Sequence, residues 1–384
     1  MMKPPSDTKH ILAMEGYYGG SHRAFLDGWI TRSRHQWDVV TLPPNKWKWR
    51  MRHGAFTFAE RVNALAAEGK TWDVLFCSDM LNLAEFRGLV CQQVNRLPSV
   101  VYFHENQLTY PVRFEDERDY QYVVTNFTSA LSADEVWFNS AFHRDDFYEA
   151  LTPFFERMPD FPPRSQIASL PDKFCVQPPG IEPFGDRPSQ RLPGPTRILW
   201  AARWEHDKNP EDFFQAIRHL VEKGLDFRLS VIGEQFRDAP AVFKQAQAAF
   251  ADRIDRWGFL PSRQAYVQAL TEADIVVSTA CHEFFGIGMV EAISAGAYPL
   301  LPRRLAYPEI LSSMETVEPD EFFYDGTVGQ LAEKLALLIR RTENGDLWQG
   351  RSRRGQEAMA RYHWDRRAAD LDRGLEDLCS DLNS

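Results

Sequence analysis

Arg203-Trp204-Glu205-His206-Asp207-Lys208 follows directly on the apolar run RILWAAR (197–203), so a guanidinium and an ammonium stand close together at the end of an expected strand. Arginine supplies a flat fork of donors and lysine a compact point charge, a combination suited to a diphosphate. The competing reading is a solvated loop whose charges pair with one another. A second constellation, TACHEFFGIGMVEA (279–292), passes from strand through loop into helix. There the amides of Phe285, Gly286, Ile287 and Gly288 fall at a helix N-terminus, where free N–H groups and the dipole favour an anion. Glycine at 286 and 288 lets that backbone approach a ligand. Glu283 falls on the entry loop and Glu291 on the helix. Their spacing alone says little, since Glu60 and Glu68 share it in an ordinary helical pattern.

The first half of the chain carries weaker signals. Gly19-Gly20 in EGYYGGSH (15–22) precedes a helical pattern and either cradles a phosphate or makes a tight turn. His104-Glu105-Asn106 ends another strand-like run, where a histidine is often only a hydrogen-bonded core residue. The segment Asn45-Lys46-Trp47-Lys48-Trp49-Arg50-Met51-Arg52-His53 is unusual for a surface. Residues 31–61 hold seven Lys/Arg against two acids, a local +5 in a chain of net charge -10. If the segment is extended, its cations and apolar groups fall on opposite sides. Tryptophans between cations suit single-stranded RNA, held by phosphates and stacking. Cation–π packing on the domain's own surface and contact with an anionic membrane remain equally open on composition.

These residues need a frame that brings strand ends together. Short apolar runs at 11–15, 37–42, 73–78, 99–104, 134–139 and 173–178 alternate with helical patterns such as 58–69. The rhythm restarts at 197–203, 227–234, 273–280 and 297–302, with helical patterns at 210–224 and 241–253 and a helical tail. Such alternation means βαβ units and doubly wound parallel sheets. The expected fold is therefore α/β, two Rossmann-like doubly wound domains facing across a cleft. The expected boundaries are an N-terminal acceptor-side domain at 1–180, a Pro-rich linker at 181–196, a C-terminal domain at 197–360, and a helix at 361–384 packing back on the first domain.

With 384 residues, 44% hydrophobic and 26% charged, the composition is that of a folded globular chain and excludes a disordered tail or a small disulfide scaffold. The net charge excludes a generic polycation, so any nucleic-acid contact must be a local patch. No run reaches the ~18–20 apolar residues of a membrane span. The N-terminus MMKPPSDTKH lacks the apolar stretch of a signal peptide. Five widely spaced cysteines without a paired CxxC fit a reduced, cytoplasmic chain holding neither zinc nor disulfides.

Arg203 and Lys208 with Glu283 and Glu291 resemble the donor site of retaining glycosyltransferases of family 4, which have the GT-B fold. More closely, the chain resembles the tRNA-queuosine mannosyltransferase family. The stretches that carry this are EGYYGGSH (15–22), TLPPNKWKWR (41–50), YFHENQLTYPV (102–112), RDYQYVVTNFTSALSADEVWFNSAFH (118–143), RWEHDKNPEDFF (203–214), WGFLP (257–261) and STACHEFFGIGMVEAISAGAYPLLPRRLAYPEI (278–310). The likeness runs from about Glu15 to Trp364.

The resemblance implies a GDP-mannose donor, with Arg203 and Lys208 on the diphosphate and the backbone of Phe285, Gly286 and Ile287 assisting. Glu283 would contact donor-sugar hydroxyls and Glu291 the ribose diol. Gly19 and Gly20 would border the phosphates, His104 would face the reacting sugar, and the stretch after Gly233-Glu234 with Trp257-Gly258 would border the base. His104, Glu283, Arg203 and Lys208 are then the expected catalytic set. The implied acceptor is a cyclopentene hydroxyl of queuosine in the tRNA anticodon loop, by resemblance that of tRNA-Asp, with Lys46, Trp47, Lys48, Trp49, Arg50, Arg52 and Asn106 as acceptor-side residues. No cofactor or metal is expected, because protein cations and helix dipoles meet the leaving-group charge. Two other readings stay open: a family 4 enzyme acting on a lipid-linked or polysaccharide acceptor at a membrane face, and a non-catalytic RNA-binding protein.

Overall fold

The computed structural model describes residues 8–111, 119–184, 191–235, 239–314 and 320–381. The first unit comprises residues 1–180 and 364–384, the second residues 181–363. The parts of the expected linker at 185–190, of the quoted stretches at 112–118, and of the base-side segment at 236–238 lie outside the described residues.

The first unit is built on six strands: β1 (His10–Glu15), β2 (Gln36–Thr41), β3 (Val74–Ser78), β4 (Ser99–Phe103), β5 (Glu135–Phe138) and β6 (Phe174–Val176). They run in the order β2-β1-β3-β4-β5-β6, all parallel. Alternate residues enter two separate cores: Leu12, Met14, Leu75, Cys77, Val101 and Phe103 on one face, Ile11, Ala13, Val74, Phe76, Val100 and Tyr102 on the other. A sheet buried on both faces explains why these strands read as unbroken apolar runs.

The second core is closed by the final helix, Trp364–Asp381, which supplies Leu371, Leu375 and Leu378. Its buried Asp372 accepts from Trp29 Nε1 at 2.8 Å, the Ser33 hydroxyl at 2.8 Å and the Arg34 amide at 2.9 Å, so the carboxylate is compensated. The Trp364 indole is gripped between two glycines. A Cβ on Gly28 would lie 2.3 Å from Trp364 Cε2, and one on Gly180 would lie 2.2 Å from Trp364 Cδ2.

The second unit repeats the plan with β7 (Thr196–Ala201), β8 (Phe227–Ile232), β9 (Ile254–Gly258), β10 (Ile275–Val277), β11 (Tyr298–Pro302) and β12 (Phe323–Tyr324), in the order β12-β11-β10-β7-β8-β9. Ile181 is buried in its core and bridges His363, and Arg191 pairs with Asp274 at 2.9 Å. The sheet order reverses direction between β1 and β3 in the first unit and between β7 and β10 in the second. Such switch points place ligands beyond the strand carboxyl ends.

Residues 46–52 are not extended. Lys46 adopts a left-handed φ of 51°, and one helix runs Trp47–Ala67. The reason is spacing: Met51, Ala55, Phe58 and Val62 recur at helical intervals and are all buried. No helix of the described residues is long and apolar enough to cross a membrane.

Candidate functional site

In the second unit the chain leaves β7 and turns through the short 3-10 helix His206–Lys208 before Pro210 opens the helix Pro210–Glu222. This turn directs Lys208 inward, where it is 5% exposed. Its Nζ lies 2.9 Å from Asp207 Oδ2, donates to the His282 carbonyl at 2.8 Å, and reaches Glu283 Oε2 at 3.4 Å. Burial alone would lower the Lys208 pKa, but Glu283 and Asp207 outweigh it and hold it above its ordinary value. Arg203 is more open and pairs with Glu205 Oε2 at 3.2 Å.

The two loops are tied by backbone as well. Cys281 N donates to the Asp207 carbonyl at 2.7 Å, and the Thr279 hydroxyl donates to the Lys208 carbonyl at 2.8 Å. Beyond them Gly286, at a φ of 89°, turns the chain into the helix Ile287–Ser294, whose first amides have no intrahelical acceptor. The structure thus gathers Arg203, Lys208 and Glu283 at the β7 and β10 ends. Burial, then the Lys208 charge, push the pKa of His282 down to about 4.

Glu291 lies on the same helix, where Arg263 donates to Oε1 at 2.8 Å and the Tyr266 hydroxyl to Oε2 at 2.7 Å. Gly233 follows β8 at a φ of 158°, and a Cβ there would lie 1.7 Å from the Ala202 carbonyl oxygen. Only glycine fits this close approach of neighbouring strand ends. Asp207, Arg263 and Tyr266 were not singled out from sequence. Asp207 sits inside the quoted motif, but the other two come from a helix that carries no motif of its own.

In the first unit, Glu15 ends β1, Asp79 follows β3 and His104 follows β4. Gly19 caps the helix Gly20–Ile30. A Cβ on Gly19 would lie 2.4 Å from Pro44 Cβ, so packing accounts for glycine there. His22, from that helix's first turn, lies 3.2 Å from Glu15 Oε2 and stacks on His104 with ring centroids 3.9 Å apart. Glu15, His22 and His104 place potential ligand atoms within 4.8 Å of one another. The Glu15–His22 contact is that of an ion pair. Asn106 is fully buried, and its Oδ1 accepts from the Leu108 and Thr109 amides at 3.0 and 2.9 Å, which is a turn-forming use of the side chain.

The basic helix divides its residues. Trp47 packs on Tyr122 with centroids 5.1 Å apart and is half-buried. Arg50 is engaged with the Pro43 carbonyl at 3.0 Å, Asn45 at 2.8 Å and His53 at 2.9 Å. Arg52 lies 3.6 Å from Asp119 and over the Tyr122 ring. Lys46 and Lys48 are exposed, as is Trp49 at 56%. Phe56, 51% exposed, shares the Trp49 face with His53 between them.

Comparisons with known proteins bear on this geometry. Residues 10–181 match the family described as tRNA-queuosine alpha-mannosyltransferase N-terminal, and residues 185–354 match glycosyl transferases group 1. A tRNA-queuosine alpha-mannosyltransferase of Drosophila melanogaster is 37% identical over 343 residues, covering 86% of this chain and 87% of that protein. A GDP-mannose-dependent alpha-(1-6)-phosphatidylinositol dimannoside mannosyltransferase of Mycobacterium tuberculosis is 29% identical over 129 residues, a third of each chain. The solved sucrose-phosphate synthase of Thermosynechococcus elongatus superposes with a TM-score of 0.69 at 14% identity, covering 97% of this chain and 99% of that one. That likeness concerns the fold, the two-domain α/β architecture of GT-B glycosyltransferases.

Proposed function

The chain belongs to the tRNA-queuosine alpha-mannosyltransferase family, and from that premise we propose that it transfers mannose from GDP-mannose, with retention, to a cyclopentene hydroxyl of queuosine in the anticodon loop of tRNA, tRNA-Asp being the acceptor the resemblance implies. That it is a glycosyltransferase follows from the family and from its group 1 half. The observation that carries the acceptor is the extent of the Drosophila match, 86% of the chain. The family's N-terminal model covers residues 10–181, most of the first unit, where acceptor choice would be expected to lie.

In the proposed reaction the bond between the anomeric carbon and the phosphate oxygen breaks, the acceptor hydroxyl oxygen takes that carbon, and the hydroxyl proton leaves with the diphosphate. Negative charge grows on the departing diphosphate. Lys208 is fixed in place before the reaction by Asp207, Glu283 and the His282 carbonyl. It therefore offers a charge that need not reorganise, the condition under which electrostatic stabilisation counts most. Arg203 supplies the fork, and the amides opening Ile287–Ser294 add a partial positive charge. Glu283, held by Lys208, presents its carboxylate to sugar hydroxyls, and Glu291 to the ribose. No metal is assigned to this step.

A lipid-linked acceptor finds support only in relatives such as the mycobacterial mannosyltransferase, similar over a third of the chain. A non-catalytic RNA-binding role disagrees with membership of an enzyme family. The test is incubation with bulk tRNA from queuosine-containing cells and labelled nucleotide sugars, followed by nucleoside mass analysis. Hexosylated queuosine formed with GDP-mannose is the expected product. Transfer only to lipid, or only from a uridine nucleotide, would overturn the reading.

A further inference from the structure

The strand-end cluster of the first unit holds more charge than the reaction above uses. β1, β3 and β4 are neighbours in the sheet, so their carboxyl ends deliver Glu15, Asp79 and His104 to one place, and the adjoining helix adds His22. Glu15 Oε1 accepts from the Ser78 hydroxyl at 2.9 Å and from the Tyr17 amide at 2.7 Å. These bonds fix the carboxylate and leave Oε2 3.2 Å from His22 Nδ1. The His22 ring in turn lies on the His104 ring at 3.9 Å, tilted by 34°.

His104 is confined on its other sides by Phe25, centroids 5.2 Å apart, and Tyr102, 4.7 Å apart. Its amide donates to Asp79 Oδ1 at 3.0 Å and its carbonyl accepts from Asn139 at 2.9 Å. Its ring nitrogens take no hydrogen bond from any described residue. The backbone is committed and three rings surround the imidazole, which leaves its ring nitrogens over.

Two imidazoles at stacking distance do not both carry charge cheaply. The groups facing His22 are Glu15 from β1, Asp79 beyond β3, and Glu105 and His104 beyond β4, with the Tyr17 ring at 5.9 Å. Burial opposes a charge on His22, but Glu15 and the other two carboxylates outweigh it and push its pKa up to about 9. The groups facing His104 are His22 and, from the helix Ala141–Phe155, His143; burial and these two hold it well below its ordinary value. Asp79 is fully buried, its Oδ2 has no hydrogen-bond partner among the described residues, and burial holds its carboxyl well above the usual range.

We propose that the Glu15–His22 pair is the positioning device for His104: the His22 ring, held beside Glu15 and lying on the His104 ring, fixes the orientation of that ring, so that its uncommitted nitrogens meet a substrate hydroxyl. The proposal rests on the mannosyl-transfer reading, in which the family resemblance implies that His104 faces the reacting sugar. A neutral imidazole both donates and accepts, whereas an imidazolium only donates. A second cation beside the sugar would also oppose the positive charge that builds at its anomeric carbon, as it does in glycoside cleavage. His22 itself touches no substrate in this scheme.

The test uses the full chain and two variants, His22→Gln and Glu15→Gln. Histidine ring resonances followed by NMR across a pH series report the device without any substrate. The expected result is that His22 titrates near 9 in the wild type. In His22→Gln the His104 midpoint should rise, with burial and His143 still holding it below an ordinary histidine, and in Glu15→Gln the His22 midpoint should fall. Kinetics supply the second readout: kcat of His22→Gln drops by at least ~10-fold, GDP binding measured by calorimetry stays unchanged, and the basic limb of the pH–rate profile disappears. An unshifted His104 resonance in His22→Gln overturns the proposal, as does a kcat near wild type. Should His22→Gln fail to fold, an unmoved His22 midpoint in Glu15→Gln overturns it instead. Wild-type protein that shows the titration pattern but does not mannosylate queuosine leaves the device standing and sinks the function assigned to it.

Discussion

Lys208 Nζ stands 3.4 Å from Glu283 Oε2, joining the loop after β7 to the loop after β10 across 75 residues of sequence. The pair is the hinge of the proposed diphosphate site, and its two cations should respond differently to removal. Arg203, paired with Glu205 near solvent, is separable from the fold. Arg203→Ala should lower kcat by roughly 100-fold or more while leaving the melting temperature in place. Lys208→Ala should lose turnover as well and also cost ~3–5 kcal/mol of stability, since it leaves Asp207 and Glu283 uncompensated in a buried site. Denaturant unfolding alongside steady-state kinetics separates the two. Near-normal turnover in both variants removes the phosphate assignment.

Metal removal tests the same charges from another side. If Lys208, Arg203 and the helix N-terminus meet the leaving-group charge, transfer should continue in excess EDTA. Activity that is lost on chelation and returns with added Mg²⁺ or Mn²⁺ would transfer that role to a cation.

Stability should fall on acidification through a window set by histidine. His282 is held at about 4 and His104 well below the ordinary 6.5, so the unfolded chain takes up protons first as pH drops. The stability these neutral rings contribute is present above the unfolded value and is lost as pH falls through the folded one. His22 works in the opposite direction. Its raised pKa contributes stability that is complete below 6.5 and is lost as pH rises through about 9. Urea midpoints across pH should therefore decline on both sides. His282→Asn should shallow the acid limb and leave the basic one alone; an acid limb that keeps its full depth in that variant removes His282 as a cause.

Most of the sheet framework was legible because parallel strands buried on both faces read as apolar runs. β9 was not, since its sequence IDRWG sits at a sheet edge and carries two charges. β12, two residues long, has no periodicity to read. The start of the helix Trp47–Ala67 was hidden by cations and aromatics that alternate with period two. The signal that marks it is the longer-range set Met51, Ala55, Phe58 and Val62. That Arg203, Lys208 and Glu283 come together was legible because each follows a strand. The Glu15–His22–His104 cluster was not, because it is assembled from two crossovers whose motifs are separately unremarkable. No spacing in sequence shows that rings 82 positions apart are stacked.

The basic helix predicts where unpaired nucleotides of the tRNA rest. Trp47 is turned inward, and Arg50 and Arg52 have partners within the protein, so the groups that remain are Lys46, Trp49 and Phe56, with Lys48 exposed above the Trp47 ring. Trp49, His53 and Phe56 follow one another at i, i+4 and i+7, with successive ring centroids 5.0 and 6.0 Å apart, forming a stripe along one helix face. Burial and then the Arg50 charge lower the His53 pKa, which suits a neutral ring in the middle of the stripe. Bases stack on such surfaces without regard to sequence, at ~1–3 kcal/mol each, while lysines neutralise the backbone. Trp49→Ala with Phe56→Ala should therefore weaken tRNA binding by at least ~1 kcal/mol and leave the salt dependence alone. Lys46→Ala with Lys48→Ala should instead reduce the salt slope by ~1.4, about 0.7 for each lost contact to a single strand. All four side chains are at the surface, so both variants should melt like the wild type and bind GDP as before. Unchanged tRNA affinity in both would mean that the acceptor is held elsewhere. Loss of binding to anionic lipid vesicles with tRNA binding intact would identify this face as a membrane contact.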